Sequence, residues 1–134
     1  MSESTQIQRM RAAFEAWNRS EDEKTLSYAR DDVVWSSGGL APGIDAVYEG
    51  HEGLRRFWRD FREPWETVSI ELVDVLEERE GALLVNALFK ARGREGIEVE
   101  GTFFQLYRFD EAGMVRAFEA FVDEADARAA ASDG

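Results

Sequence analysis

Apolar residues near the start of the chain recur at helical spacing. Ile7, Met10, Phe14 and Trp17 lie three or four positions apart, after the stretch Thr5–Gln8, which has the form of a capping box. This pattern predicts a first helix that begins near Thr5 and carries one apolar face.

A short helix, a brief strand and a long loop are predicted next. Ser20–Glu23 repeats the capping signature and precedes a helix that runs through Leu26 to about Ala29. A β segment follows at Val33–Trp35. Turn-forming residues then dominate Ser36–Gly50, which predicts a loop. A loop of this length is either a lid or binding segment or a plain surface excursion.

The third predicted helix is strongly amphipathic. Its apolar positions recur at helical spacing, arginines occupy the opposite face, and Pro64 ends or kinks it. The apolar positions are Leu54, Phe57, Trp58, Phe61 and Trp65.

The remaining chain alternates between apolar and polar residues with period two and is divided by short turns. It predicts consecutive antiparallel strands and a short closing helix near Glu124–Ala131. Helices followed by a meander of strands are typical of an α+β domain with its helices on one sheet face, here a single domain over 1–134. The strands are predicted at Thr67–Glu78, Ala82–Arg92, Ile97–Asp110 and Met114–Val122.

The charge balance narrows the class of partner. The 134 residues include 16 Lys and Arg against 28 Asp and Glu, a net charge of −12. A pI near 4.5 disfavours nucleic acid and anionic membranes as partners, because both are held by cationic side chains. The arginines of the third helix are therefore interpreted as a solvated face paired with neighbouring acids.

The chain has no cysteine and one histidine, His51. This composition disfavours Cys-zinc, iron–sulfur and His-rich sites, so we expect no metal and no cofactor. No apolar run approaches the ~20 residues that a membrane span needs, and the first residues lack the basic and apolar regions of a signal peptide. We therefore expect a cytoplasmic protein without membrane contact.

Two stretches and the order of elements carry a resemblance to a known family. The stretches are Tyr48–Trp58 (YEGHEGLRRFW) and Phe109–Gly113 (FDEAG), the latter followed by Phe121–Asp123. With them the chain resembles the SnoaL-like branch of the nuclear transport factor 2-like superfamily. The resemblance implies a strongly curved antiparallel β-sheet with three N-terminal helices over its concave face, the ketosteroid isomerase-like cone with a central pocket. Many members are dimers, and members include enzymes and non-catalytic binding or assembly domains.

The same resemblance implies that the usual catalytic residues are missing. The carboxylate base of ketosteroid isomerase-like members falls on Ser37, and their tyrosine donor falls on Ala13 or Phe14. The acid that epoxide hydrolase-like members carry on the last strand falls on Ala120. Their protonated aspartate falls on Gln105, which can still donate a hydrogen bond. We therefore expect neither steroid isomerisation nor epoxide hydrolysis.

Gln105 is a candidate pocket residue because it shares a strand face with Phe103 and Tyr107, and a buried glutamine needs hydrogen-bond partners. Asn86 is the other polar residue inside an apolar strand. The alternatives are a core Gln105 satisfied by protein and an Asn86 on a solvated outer face. The predicted ligand-binding residues are Trp35, Trp58, Asn86, Phe103, Gln105, Tyr107, Phe118 and Ala120.

His51 is a second catalytic candidate beside Gln105, because its unperturbed pKa lies near neutral pH. Its place at the start of a helix, flanked by Glu49 and Glu52, is equally typical of a structural histidine. His51 would have to reach into the cone to act as a base.

Three functions stay open at this stage. The first is a binding domain for a small hydrophobic or aromatic molecule. The second is an isomerase, cyclase or hydrolase that uses Gln105, Asn86, Tyr107 or His51. The third is a dimerisation module with a vestigial pocket. A homodimer is expected in any case, because the second sheet face, with Leu106 or Phe104 and Phe121, has no predicted helix to cover it.

Overall fold

The computed structural model describes residues 3–37 and 46–133, which form four helices and six strands. Residues 38–45 of the predicted Ser36–Gly50 loop lie outside the described residues. The described end of that stretch contains a short strand that the sequence pattern did not predict. In chain order the elements are α1 (Thr5–Asn18), α2 (Asp22–Leu26), β1 (Ala29–Ser36), β2 (Val47–Glu49), α3 (Gly50–Arg62), β3 (Trp65–Arg79), β4 (Ala82–Gly93), β5 (Glu98–Phe109), β6 (Val115–Phe121) and α4 (Glu124–Ser132).

The strands form one curved, unclosed sheet in the order β2-β1-β6-β5-β4-β3. Strands β3 to β6 pair as antiparallel neighbours, which confirms the predicted meander. Strand β1 lies parallel to β6, with Trp35 opposite Phe118, and this pairing was not predicted. The α+β class predicted from the sequence is confirmed.

The capping residue of the first helix and the end of the second helix differ from the predictions. Ser4, not Thr5, caps α1, because its Oγ accepts a hydrogen bond from the backbone N–H of Ile7 at 3.2 Å. Helix α2 ends at Leu26, earlier than predicted. The backbone N–H of Val115 donates to the carbonyl of Tyr28 at 2.9 Å, which draws the next residue into the sheet instead of the helix.

The sheet has an inner and an outer face, which the strand register defines. Val85, Gln105 and Ala120 are neighbours on the inner face, and Leu84 and Leu106 are neighbours on the outer face. The main hydrophobic core lies between the inner face and helices α1 to α3. The predicted three-helix layer is therefore present on this side of the sheet.

Helix α4 packs against the outer face, contrary to the expectation that this face is bare. Its Ala127 and Ala131 contact Leu84 and Leu106, and both leucines are only 1% exposed. Phe104 and Phe121 pack against the same cluster. The argument for a homodimer from an uncovered face is thus wrong, because the closing helix supplies the cover. The homodimer itself stays a prediction.

Two arginines fasten the end of α4. Arg79 donates to the carbonyl of Ala131 at 2.8 Å, and Arg108 donates to the carbonyl of Ala130 at 2.9 Å. Carbonyls in the last turn of a helix lack partners within the helix, so cationic donors there stabilise it. The docking of α4 therefore rests on polar contacts at its end as well as on apolar packing.

Within residues 3–37 and 46–133, none of the helices is long and apolar enough to cross a membrane. The same residues contain no cluster of three or more His, Asp or Glu side chains placed to hold a metal ion.

Candidate functional site

A cavity lies between the inner face of the sheet and helices α1 to α3. It encloses about 750 Å³ of atom-free space, its open mouth included. The part of this space that the centre of a water-sized sphere can occupy is about 80 Å³, several times the ~10–15 Å³ that one water molecule needs. Its walls are mostly apolar and aromatic, and the lining residues are Met10, Ala13, Phe14, Trp17, Thr25, Tyr28, Ala29, Trp35, Leu54, Phe57, Trp58, Phe61, Ile70, Phe103, Gln105, Tyr107, Val115 and Phe118.

Aromatic rings brace one another in the cavity wall. Trp35 stacks on Phe118, its partner in the sheet register, with ring centroids 4.0 Å apart and planes inclined by 15°. Tyr107 meets the same two rings at 6.1 and 5.1 Å, and Phe57 lies 6.1 Å from Trp35. Such contacts restrain the rings, so this wall is largely formed before any ligand binds.

Gln105 and Tyr107 form a hydrogen-bonded pair inside the cavity. The two side chains leave β5 on the same face, and the hydroxyl of Tyr107 donates to Oε1 of Gln105 at 2.8 Å. Gln105 is 4% exposed and Tyr107 is 2% exposed. Among the described residues, Nε2 of Gln105 has no hydrogen-bond partner. A buried amide that keeps a free N–H is a donor available to a bound molecule.

Burial raises the pKa of the Tyr107 hydroxyl well above its usual value near 10. The apolar surroundings disfavour the charged phenolate, so the hydroxyl keeps its proton at physiological pH. Tyr107 therefore acts in the site as a neutral donor to Gln105 and does not serve as a base.

Two tryptophans of the wall carry further unused donors. The indole Nε1 atoms of Trp17 and Trp35 are buried and have no partner among the described residues. An indole N–H can only donate, and neither atom has an acceptor within the described residues.

The described part of the cavity wall contains no Asp, Glu, His, Lys or Arg side chain. Its titratable groups are the hydroxyls of Tyr28 and Tyr107. General acid–base chemistry needs a titratable group within hydrogen-bond reach of the substrate. The described wall therefore offers a ligand apolar contacts and hydrogen bonds from neutral groups.

Six of the residues predicted for ligand binding line the cavity together: Trp35, Trp58, Phe103, Gln105, Tyr107 and Phe118. Ala120 is opposite Gln105 in the register and belongs to the same core, but it does not contribute to the cavity wall.

Asn86 lies away from the cavity, contrary to the expectation. In the register it is opposite Phe104 and Asp74, so its side chain leaves the sheet on the outer face. Its Oδ1 is buried there without a partner among the described residues. Which face of β4 carries Asn86 was hard to predict because both faces of the strand are apolar. The inner face packs against helices α1 to α3, and the outer face packs against α4.

His51 also lies outside the cavity wall. Its Nε2 is 3.0 Å from the carbonyl oxygen of Ala29 and 3.8 Å from Oδ1 of Asp31. These contacts tie the start of α3 to β1, which is a structural role. Ser37, the position implied for a base, is fully buried, and its Oγ has no partner within the described residues.

Several wall residues were not among the ligand-binding residues predicted from the sequence. Met10, Ala13, Phe14 and Trp17 share the apolar face of α1, so the helical spacing contained the signal for them. Thr25 and Tyr28 come from α2 and the turn after it, where no periodic pattern marks which side chains point inward.

The chain belongs to the SnoaL-like domain family, which matches residues 10–126. The family agrees with the resemblance seen in the sequence and with the cone-like arrangement of helices and sheet. No curated protein matches the chain.

Solved structures share this fold at low sequence identity. A nuclear transport factor 2-like protein of unknown function from Burkholderia pseudomallei superposes with a TM-score of 0.78, at 22% identity over 92% of this chain and 95% of that one. TerC, co-crystallised with polyporic acid, gives 0.79, at 17% identity over 98% and 100%. Rv0760c from Mycobacterium tuberculosis, in complex with estradiol-17beta-hemisuccinate, gives 0.76, at 13% identity over 92% and 97%. At these identities the likeness establishes the fold alone.

Proposed function

We propose that this chain binds a neutral hydrophobic or aromatic small molecule in the cavity between the inner face and helices α1 to α3. The observation that carries the proposal is the composition of the described wall, which is aromatic and apolar with a few neutral polar groups. Apolar surface of this kind favours an uncharged ligand, because a buried charge would lack a partner there.

Two proteins of the same fold support the proposal that this chain binds a small molecule. TerC was co-crystallised with polyporic acid and Rv0760c is in complex with estradiol-17beta-hemisuccinate, so the fold in both proteins accommodates a small molecule. Small-molecule binding by this chain is part of the proposal, and the apolar, aromatic lining of its cavity supports it.

Catalysis through Gln105, Asn86, Tyr107 or His51 is the less favoured alternative. Asn86 and His51 lie outside the described wall, and Tyr107 is held in its neutral form by burial. Gln105 remains as a hydrogen-bond donor, and an amide is not a base at physiological pH. Binding of a small molecule, unlike acid–base catalysis, requires no titratable group beyond those that line the described wall.

The proposal can be tested with a neutral fluorescent probe such as N-phenylnaphthylamine. We expect binding at micromolar concentrations, with quenching of tryptophan fluorescence because Trp35 and Trp58 lie in the wall. Affinity should change little with salt, since apolar contacts are not screened by ions.

Two alanines of α1 provide a matched pair of variants. Ala13 lines the cavity, whereas the adjacent Ala12 does not. Ala13→Leu should weaken probe binding by about tenfold by filling the cavity, and Ala12→Leu should leave binding unchanged. A folded wild type that does not bind, or equal affinities in all three proteins, would contradict the proposed function.

A further inference from the structure

Helix α2 and the turn after it form one rim of the cavity, opposite α3. Thr25 and Tyr28 line the cavity from the α2 side, and Leu54 and Trp58 line it from the α3 side. Thr25 and Tyr28 are also half-buried, so at α2 a single layer of chain separates the cavity from solvent. A gap between α2 and α3 would therefore lead directly into the cavity.

Two ion pairs join α2 and α3 across this rim. Nη2 of Arg55 in α3 donates to Glu23 of α2 at 2.9 Å, and Nη1 of Arg62 donates to Asp22 at 2.9 Å. The two arginines are seven residues apart, so they hold α2 at two points about 10 Å apart along α3. The carboxylates of Glu23 and Asp22 are 78% and 37% exposed. Ion pairs exposed to this degree are weak and are screened by salt.

Apolar packing holds α2 at one residue. Leu26, which is 2% exposed, is the only buried residue among the five of this helix. Ser20, just before the helix, has a φ of 60°, a left-handed conformation that residues other than Gly seldom adopt. The backbone before α2 is therefore strained while the helix is in place. Beyond the helix, the carbonyl of Tyr28 is fixed to the sheet by the N–H of Val115. An outward movement of α2 would thus break two exposed ion pairs and uncover one leucine, and it would leave the sheet intact.

Building on the proposed binding function, we propose that the α2 segment (residues 20–28) is a lid through which the ligand enters and leaves the cavity. The pairs of Asp22 with Arg62 and of Glu23 with Arg55 hold the lid shut. None of these four residues lines the described wall of the cavity. The pairs therefore hold the lid equally in the empty and the occupied protein, so they determine how fast a ligand exchanges and not how tightly it binds.

The test measures the association and dissociation rate constants of N-phenylnaphthylamine by stopped-flow fluorescence. Asp22→Asn combined with Glu23→Gln removes both acidic charges, and both rate constants should rise about fivefold because the lid opens more often. The dissociation constant should stay within about twofold of the wild type. Equal rate constants in the folded variant and the wild type, or a rise in the dissociation rate constant alone, would overturn the lid.

Lys24→Gln is the matched control for this double variant. Lys24 is exposed on the same helix, next to Glu23, and its ammonium group has no ion-pair partner among the described residues. Its removal changes the charge of α2 without breaking a contact with α3. Both rate constants should therefore equal those of the wild type, and a fivefold rise in Lys24→Gln would show that the ion pairs are not what holds α2.

A double-mutant cycle tests one ion pair by itself. Glu23→Gln and Arg55→Gln should each raise both rate constants about twofold, and the variant with both changes should be no faster than either one. Arg55 also lies 3.6 Å from Glu52 of its own helix, and Glu52 is unchanged in all four proteins of the cycle. Effects of the two substitutions that multiply in the combined variant would overturn the role of this pair.

The wild-type chain allows a measurement that needs no variant. The probe is neutral, so charge attraction does not steer its approach. Between low salt and about 1 M NaCl, both rate constants should rise about threefold because ions screen the pairs, and the dissociation constant should stay within about twofold. Rate constants that do not change with salt would contradict a lid held by ion pairs.

Failure of the binding function gives a different result from failure of the lid. If N-phenylnaphthylamine does not bind the folded wild type, the proposed function is wrong, and the lid that rests on it is wrong as well. If the probe binds with rate constants that neither salt nor the substitutions change, the binding function stands and the lid is wrong.

Discussion

The guanidinium carbon of Arg62 lies 4.5 Å from the centre of the Trp17 ring, and its Nη2 donates to the Trp17 carbonyl at 2.9 Å. Nη1 of the same arginine donates to Asp22 at 2.9 Å, and the Trp58 ring lies 6.0 Å away. Arg62 therefore joins α1, α2 and α3 beside two tryptophans of the cavity wall. Arg62 pairs with an acid, as expected for the arginine face, but its side chain is only 22% exposed, so it is less solvated than expected.

The first prediction follows from this junction. Arg62→Lys should lower the free energy of unfolding by about 1–2 kcal/mol, because an ammonium group cannot bond Asp22 and the Trp17 carbonyl together while lying flat over the ring. Urea unfolding measures the change. Arg59→Lys is the control, since Arg59 is 68% exposed and pairs only with its neighbour Asp60 among the described residues. Its effect should stay within about 0.5 kcal/mol. Equal effects of the two variants would contradict the role given to Arg62.

The second prediction concerns the docking of α4. Ala127 is fully buried against the outer face, whereas Ala129 is exposed on the same helix. Ala127→Glu would bury a carboxylate, so the helix should detach at a cost on the order of 2 kcal/mol, and Ala129→Glu should have little effect. Faster amide hydrogen exchange in α4 of Ala127→Glu alone is the expected result.

Detachment of α4 also tests how the outer face relates to self-association. With α4 displaced, Leu84 and Leu106 become exposed, and apolar patches of this kind favour association. Sedimentation should show more self-association for Ala127→Glu than for Ala129→Glu. If both variants and the wild type form the same dimer, the dimer interface lies away from the cluster that α4 covers.

The third prediction concerns alkaline pH. Because the pKa of Tyr107 is higher in the folded chain than in the unfolded chain, the folded state holds a proton that the unfolded state releases above about pH 10. Stability should therefore be unaffected by this group below the unfolded pKa and fall as the pH rises through it.

Tyr107→Phe isolates this contribution. Above about pH 10, the wild type should lose up to about 1.4 kcal/mol per pH unit more than the variant does. Urea unfolding of both proteins at several pH values gives the difference. Parallel pH profiles would show that the Tyr107 hydroxyl titrates normally in the folded chain.

The fourth prediction separates His51 from the site. His51→Gln should leave the affinity for N-phenylnaphthylamine within about twofold of the wild type, because the histidine side chain is not part of the described wall and meets the wall residue Ala29 only at its backbone carbonyl. Stability should fall by about 1 kcal/mol or less, through loss of the contact with the Ala29 carbonyl. A tenfold loss of affinity in a folded variant would contradict this prediction and show that His51 contributes to the site.

The sequence pattern correctly predicted which side chains share a face wherever a single periodicity, helical or alternating, ran through the element. The alternation of Phe103, Gln105 and Tyr107 correctly placed all three on one face of β5, and the spacing of Leu54, Phe57 and Trp58 correctly placed the apolar face of α3. Both predictions rest on local geometry, which needs no knowledge of the partner element.

The sequence pattern did not predict features of the structure that depend on contacts between residues distant in the chain or on side-chain rotamers. The position of α4 is set by the fit of alanines against Leu84 and Leu106, and an alanine-rich helix carries little indication of which surface it will meet. Because α4 covers the outer face, β4 carries apolar residues on both of its faces. The alternation of apolar and polar residues therefore did not show which face Asn86 is on. The bond between Tyr107 and Gln105 depends on rotamers, which a pattern of residue types does not specify.

Gln105 and Tyr107 lie two residues apart on β5, so their hydrogen bond joins near neighbours in the chain. The cavity around them, in contrast, is enclosed by helices and strands that are distant in the chain. During folding the hydrogen bond needs only an extended β5, whereas the cavity takes shape only when the long-range contacts between the helices and the sheet are made.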